Sequence, residues 1–122
     1  MIYGSYWHHV KSAWSCRDHP NFSFLWFEEM KDNQRLVVDN LCKFLHCSLS
    51  EEKLDQLVEH LKFDNMKENR AVDVTNGGWF MRKGEVGDFR NYFNEEVTTR
   101  FDKWINSNLN GTNIPAEYYF VR

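Results

Sequence analysis

Hydrophobic positions fall along the chain in short bursts divided by polar and chain-breaking residues, and most bursts repeat every three or four positions. Tyr3, Trp7, Val10 and Trp14 share one face of a predicted helix over residues 3–14. His19-Pro20-Asn21 then interrupts the chain. Phe22–Phe27 (FSFLWF) is a compact apolar run with little polar alternation, the pattern of a buried strand in a parallel sheet. Helical spacing returns after Asp32-Asn33, which offers an N-cap, and puts Val37, Leu41, Phe44 and Leu45 in one stripe. Ser50 caps a further helix, with Glu51 and Glu52 at its positive end and Leu54, Leu57, Val58 and Leu61 on its apolar face. Phe63–Lys67 reads as one more turn. Arg70–Trp79, with Asn76-Gly77-Gly78, reads as a loop, and Phe80–Phe93 has no clean period. Asn94 caps a last helix whose inward face is Val97, Phe101, Trp104, Ile105 and Leu109. The whole of residues 1–122 is expected to be mostly helical, with about one strand, no internal repeat and no interdomain linker.

Composition narrows the class. A length of 122 residues suits one domain, and 42% hydrophobic with 27% charged residues is ordinary for a globular chain. No uncharged apolar run reaches the roughly 18 residues of a membrane span. Aromatic residues reach 16% while the mean hydropathy is −0.67, so the core depends on a few large rings. The net charge of −3 excludes a bulk basic field for nucleic acid, and any anionic ligand must be held by a local cluster. Cys16, Cys42 and Cys47 are too few for a disulfide framework and read as free thiols of a reducing compartment. Residues 1–10 lack a basic region followed by an apolar stretch, so a cytoplasmic location is expected.

The densest chemistry lies in Met81-Arg82-Lys83-Gly84-Glu85-Val86-Gly87-Asp88. Arg supplies a planar fork of donors and Lys a compact charge, both suited to a phosphate. Gly84 lets a backbone N–H approach an anion with no side chain in the way. The same string also describes a solvated basic turn before a helix. Phe63 and Trp79 are rings of the kind that stack on a base, and equally of the kind that fill a core. His8-His9 and the Cys42/His46/Cys47 set do not match zinc-site spacing; a buried thiol at Cys42 and exposed imidazoles are expected, with no metal. Glu51-Glu52 is explained by compensation of the helix dipole rather than by acid–base work.

In order, four strings resemble the C-terminal portion of a cytosolic sulfotransferase. Gly4-Ser5-Tyr6-Trp7-His8-His9-Val10 resembles the family's GSW-x-x-HV segment, and Leu25-Trp26-Phe27-Glu28-Glu29-Met30-Lys31 resembles its LFYEDMK strand end. Glu59-His60, Phe63 and Met66-Lys67-Glu68-Asn69 resemble EH-x-x-F-x-x-MKEN. Phe80-Met81-Arg82-Lys83-Gly84 with Gly87-Asp88-Phe89 resembles FxRKGxxGDW. The resemblance implies an α/β fold, the C-terminal part of a P-loop-type parallel-sheet domain. It implies transfer of a sulfuryl group from 3′-phosphoadenosine 5′-phosphosulfate (PAPS), without a metal, to a small-molecule alcohol, phenol or amine. Neither nucleic acid nor membrane is an expected partner. It places Arg82, Lys83 and Gly84 on the 3′-phosphate and Phe63 on the adenine, with Met81 and Phe27 beside them.

Departures from the family pattern carry their own expectations. Phe27 stands where the family often has Tyr, and Leu61 where it often has a Thr that hydrogen-bonds adenine. Both should weaken base recognition without abolishing phosphate binding. The loop at 70–79 looks shorter than the family's acceptor lid. At the family's dimer motif the chain reads Arg90, Asn94, Glu95 and Thr99, so that dimer is not expected. The family's phosphosulfate loop and catalytic His match nothing in the chain; His8 and His9 align with a later segment. The expectation is therefore a partial domain with no catalytic residue, inactive alone and marginally stable. A non-catalytic helical interaction module, or pseudoenzyme, is the alternative.

Overall fold

The computed structural model describes residues 4–69, 71–72 and 80–120. Its helices are α1 (Tyr6–Ser15), α2 (Phe27–Asp32), α3 (Gln34–Phe44), α4 (Glu51–His60), α5 (Phe63–Glu68) and α6 (Glu95–Leu109), with 3₁₀ turns at Asp88–Asn91 and Ala116–Tyr118. Each long helix starts where a short polar side chain replaces a missing backbone partner. The side chains of Ser5, Asn33, Ser50 and Asn94 accept from the N–H groups of His8, Leu36, Lys53 and Val97. The chain divides into two compact units, residues 1–26 with 87–122, and residues 27–86.

The first unit is an aromatic core around α1 and α6. Trp7, Val10, Ile105, Leu109 and Ile114 are buried, with Trp14, Trp26, Tyr119 and Phe120 packed at the edge. Trp7 is only 4% exposed and meets Tyr119 at 5.0 Å and Trp104 at 5.4 Å between ring centroids. Trp26 stacks on Tyr118 at 4.2 Å and 12°. The Trp14 indole N–H donates to Asn113 Oδ1 (2.8 Å), fastening the end of α1 to the tail. Rings give the unit contact area that its few aliphatics cannot.

Three expectations are corrected in this unit. The run Phe22–Phe27 is not a buried strand; no strand occurs among the described residues, and Phe27 opens α2. Phe22, Phe24 and Trp26 are partly buried while Ser23, Leu25 and Phe27 are exposed, so the two-residue alternation of a strand survives. What is missing is a neighbouring strand to complete the ladder, without which there is no sheet. On α6, Phe101 and Trp104 do not point wholly inward: they are 44% and 45% exposed, and the buried seam is Ile105 and Leu109. The first helix begins at Tyr6, capped by Ser5, and Tyr3 of its expected face lies outside the described residues.

The second unit packs α2 against α3, α3 against α4 and α4 against α5. Val38 and Leu54 are buried, and Leu57, Val58 and Leu61 are partly so, in line with the expected face of α4. On α3 the buried position is Val38 rather than Val37, and Leu45, past the helix end, is exposed. Arg35 joins the two helices through Asp55 (2.8 Å) and Glu51. Hydrogen bonding to Asp55 and then Glu51 raises the Arg35 pKa above its ordinary value. Cys42 is only partly buried, and Cys16 and Cys47 are exposed, so burial does not shield the thiols. His8 and His9 are exposed, as expected.

Candidate functional site

The junction of α4 and α5 is built tightly. Leu61 ends α4, its N–H donating to the Leu57 carbonyl (3.0 Å) and its carbonyl accepting from Gln34 Nε2 of α3 (2.9 Å). Asn65 Nδ2 donates to the Glu59 carbonyl (2.6 Å), and Lys62 forms an ion pair with Glu59. The hydrogen bond from Lys62 holds the Glu59 carboxyl below the usual carboxylate range. These contacts fix the direction in which Phe63, first residue of α5, projects.

Phe63 lines a cavity of about 120 Å³ together with Met30, Lys31, Gln34, Leu61, Met66 and Met81. That volume is below the 300–1,000 Å³ typical of whole drug-sized ligands and suits one ring system or a part of a larger ligand. The lining is three thioethers, one leucine and one ring, with one amide and one ammonium. Lys31 Nζ lies 5.9 Å and Lys67 Nζ 6.0 Å from the Phe63 ring centroid, within cation–π range.

Gly84 lies against the same ring. A Cβ added to Gly84 would fall 2.3 Å from Phe63 Cδ2 and 2.5 Å from Cε2, and the residue has φ +64°. Both the left-handed backbone and the close approach demand glycine here. The basic string and the aromatic ring, twenty-one positions apart in sequence, thus meet in space.

Of the expected site residues, Phe63 and Met81 line this cavity and Gly84 lies against the Phe63 ring. Arg82 and Lys83 are exposed and lie between Met81 and Gly84 in the chain. Phe27 does not line the cavity; it is 43% exposed at the start of α2, on the face shared with Met30 and Lys31 at helical spacing. Trp79, residue 70 and residues 73–79 of the expected loop lie outside the described residues. Of the positions compared with the family's dimer motif, Asn94 caps α6 and Arg90 lies over the Phe89 ring (5.8 Å). Sequence reading missed Lys31, Gln34, Met66 and Lys67 as neighbours of Phe63. The available signal was spacing, since Met66 and Lys67 follow Phe63 at i+3 and i+4 on α5. Among the described residues no group of His, Cys, Asp or Glu is placed to hold a metal.

A family model described as the sulfotransferase domain matches residues 1–113. Luciferin sulfotransferase of Photinus pyralis is 35% identical over 96% of this chain and 35% of its own length. Sulfotransferase 1B1 of Mus musculus is 38% identical over 93% of this chain and 41% of its own. The fold matches retinol dehydratase in complex with androsterone and the inactive cofactor PAP, with TM-score 0.86 and 36% identity over 92% of this chain and 35% of that one. A mouse sulfotransferase complexed with PAP matches with TM-score 0.83 and 26% identity over 93% of this chain and 44% of that one. The chain therefore spans well under half the length of the relatives it matches.

Proposed function

This chain belongs to the sulfotransferase family, and from that premise we propose that it forms the 3′-phosphate and adenine part of a PAPS site. The observation that carries the reading is the seating of Gly84 on the Phe63 ring, which ties the Arg82-Lys83-Gly84 string to an aromatic-walled cavity. In this reading Phe63 offers its ring to the adenine, with Met81 beside it and Phe27 adding to the site from the start of α2. Arg82 and Lys83 neutralise the 3′-phosphate, Arg by a bidentate fork and Lys as a point charge. The Gly84 N–H donates to the same phosphate, while its missing Cβ leaves the room that the Phe63 ring occupies. Leu61 and Phe27 supply no polar group to the base, so charge and stacking carry the affinity.

Bound PAPS would supply the sulfuryl group for transfer to a small-molecule alcohol, phenol or amine. No residue of this chain is assigned the acceptor's proton, and none is assigned to the transferring sulfate. The reaction thus belongs to a domain of the relatives' length, of which this chain is the nucleotide-gripping part, in the cytoplasm.

The test is calorimetric titration with the desulfated nucleotide, in a protein of the relatives' length that carries residues 1–122. Arg82→Ala with Lys83→Ala should abolish measurable binding. Phe63→Ala should weaken it by about 1–3 kcal/mol, or about 5–150-fold. Unchanged affinity in the double variant would sink the assignment. The exposed rings Phe101 and Trp104 favour a second reading, a non-catalytic interaction module. Nucleotide binding that depends on Arg82 and Lys83 would eliminate it.

A further inference from the structure

The C-terminal end of α3 is closed by a hydrogen-bonded cap that brings two cysteines together. Leu45 ends the helix and His46 follows with φ 56°, the left-handed conformation usually reserved for glycine. The His46 N–H donates to the Lys43 carbonyl (3.1 Å), and the Cys47 N–H donates to the Cys42 carbonyl (2.8 Å). This nested pair of bonds is the Schellman closure of a helix. In it, the side chain in the last helical turn and the side chain just past the left-handed residue converge, and apolar residues commonly fill both places. Here they are Cys42 and Cys47.

The 2.8 Å hydrogen bond, with standard bond lengths, holds the two Cα atoms within about 7 Å. That lies within the Cα separation a disulfide spans. Cys47 Sγ is turned back over the cap, 3.6 Å from the Leu45 carbonyl. Both thiols are free, with Cys47 exposed and Cys42 partly buried. Cys16, the third thiol, belongs to the other compact unit, at the end of α1.

We infer that Cys42 and Cys47 are a reversible dithiol–disulfide pair that clasps the end of α3, oxidised by hydrogen peroxide and reduced by a small thiol. The exposed Cys47 thiolate attacks one peroxide oxygen and the O–O bond breaks. One water leaves and Cys47 becomes a sulfenic acid. The Cys42 thiolate then attacks the Cys47 sulfur, forming the S–S bond, breaking S–O and releasing a second water. Two thiols lose two electrons and two protons, which the peroxide carries away in its two waters. Two equivalents of a small thiol such as glutathione reverse the change, themselves becoming a disulfide. The helix need not unwind, because the backbone at both residues is already paired.

The test uses the full chain, treated with hydrogen peroxide, alkylated, and digested with trypsin without reductant. Lys43 lies between the two cysteines, and Arg35 and Lys53 flank them, so peptides 36–43 and 44–53 stay joined only through a disulfide. The expected result is that linked pair, a fall in free thiols from three to one, and recovery of all three with dithiothreitol. Cys16→Ser should leave the linkage unchanged and Cys47→Ser should remove it. The linkage should form faster in buffer than in concentrated guanidinium chloride, where the cap is gone. Equal rates would overturn the inference, because nearness in sequence alone would then explain the bond. So would linkage of either peptide to 12–17, a disulfide between two chains, or oxygen accumulating on Cys47 with no linkage.

Discussion

At the scale of single residues, the left-handed positions separate conformation from contact. Gly84 (φ +64°) meets the Phe63 ring where a Cβ would be, whereas Gly111 (φ +74°) has nothing within 4 Å of that place. Alanine at Gly111 should therefore cost only the backbone term, about 1–3 kcal/mol. Alanine at Gly84 should cost that and a further ~1–3 kcal/mol of overpacking against the ring. Urea unfolding of the two variants checks this, and equal losses would show that the ring yields. The sequence argued for glycine at 84 from access to an anion; that the ring of Phe63 also requires it was invisible, because periodicity carries no information about contacts twenty-one residues apart. His46 is the opposite case, a bulky residue with φ 56° at a position that favours glycine. His46→Gly should raise stability by about 0.5–1 kcal/mol, seen as a higher urea midpoint with unchanged slope.

At the scale of elements, the helix starts were legible and the strand was not. Ser50 and Asn94 sit before their helices with acidic pairs behind them, and both cap as read. Capping is local chemistry, written in four or five consecutive residues. A strand is a relation between two segments, so the run 22–27 specified only an alternation of faces and not a ladder. Asn94→Ala should cost about 1 kcal/mol through loss of the bond to the Val97 N–H, measured by thermal unfolding. The end of α4 carries a pH dependence. The Lys62 hydrogen bond holds the folded Glu59 pKa below its ordinary 4.5, so the folded state releases that proton more readily. Its stabilisation is therefore complete above the unfolded value and fades as pH falls through the lower folded one. Glu59→Gln should narrow the loss of melting temperature between neutral pH and about pH 3. An unchanged profile would mean that the pair at this exposed site is screened.

At the scale of the whole molecule, the fate of the rings decides how the chain behaves in solution. Tyr6, Phe101 and Trp104 form a run of touching rings, with centroids 6.5 Å and 5.9 Å apart, and all three are exposed by more than two-fifths. Contiguous apolar surface of this kind is uncommon on a soluble monomer. A net charge of only −3 adds little repulsion to keep copies apart. The chain alone should bind a hydrophobic dye and associate as its concentration rises, as read by dye fluorescence and by light scattering. Replacing Phe101 and Trp104 together with glutamine should reduce both signals and leave helical circular dichroism intact, since Ile105 and Leu109 hold the buried seam of α6. Trp7→Ala should do the reverse. It removes a ring that is 4% exposed, costs about 3–5 kcal/mol, and should increase dye binding as the core opens. If the glutamine variant instead lost its helices, the exposed rings would be part of the core and the high aromatic content would be explained by folding alone. If it kept them and lost dye binding, those rings face outward to a surface that the folded chain does not itself cover.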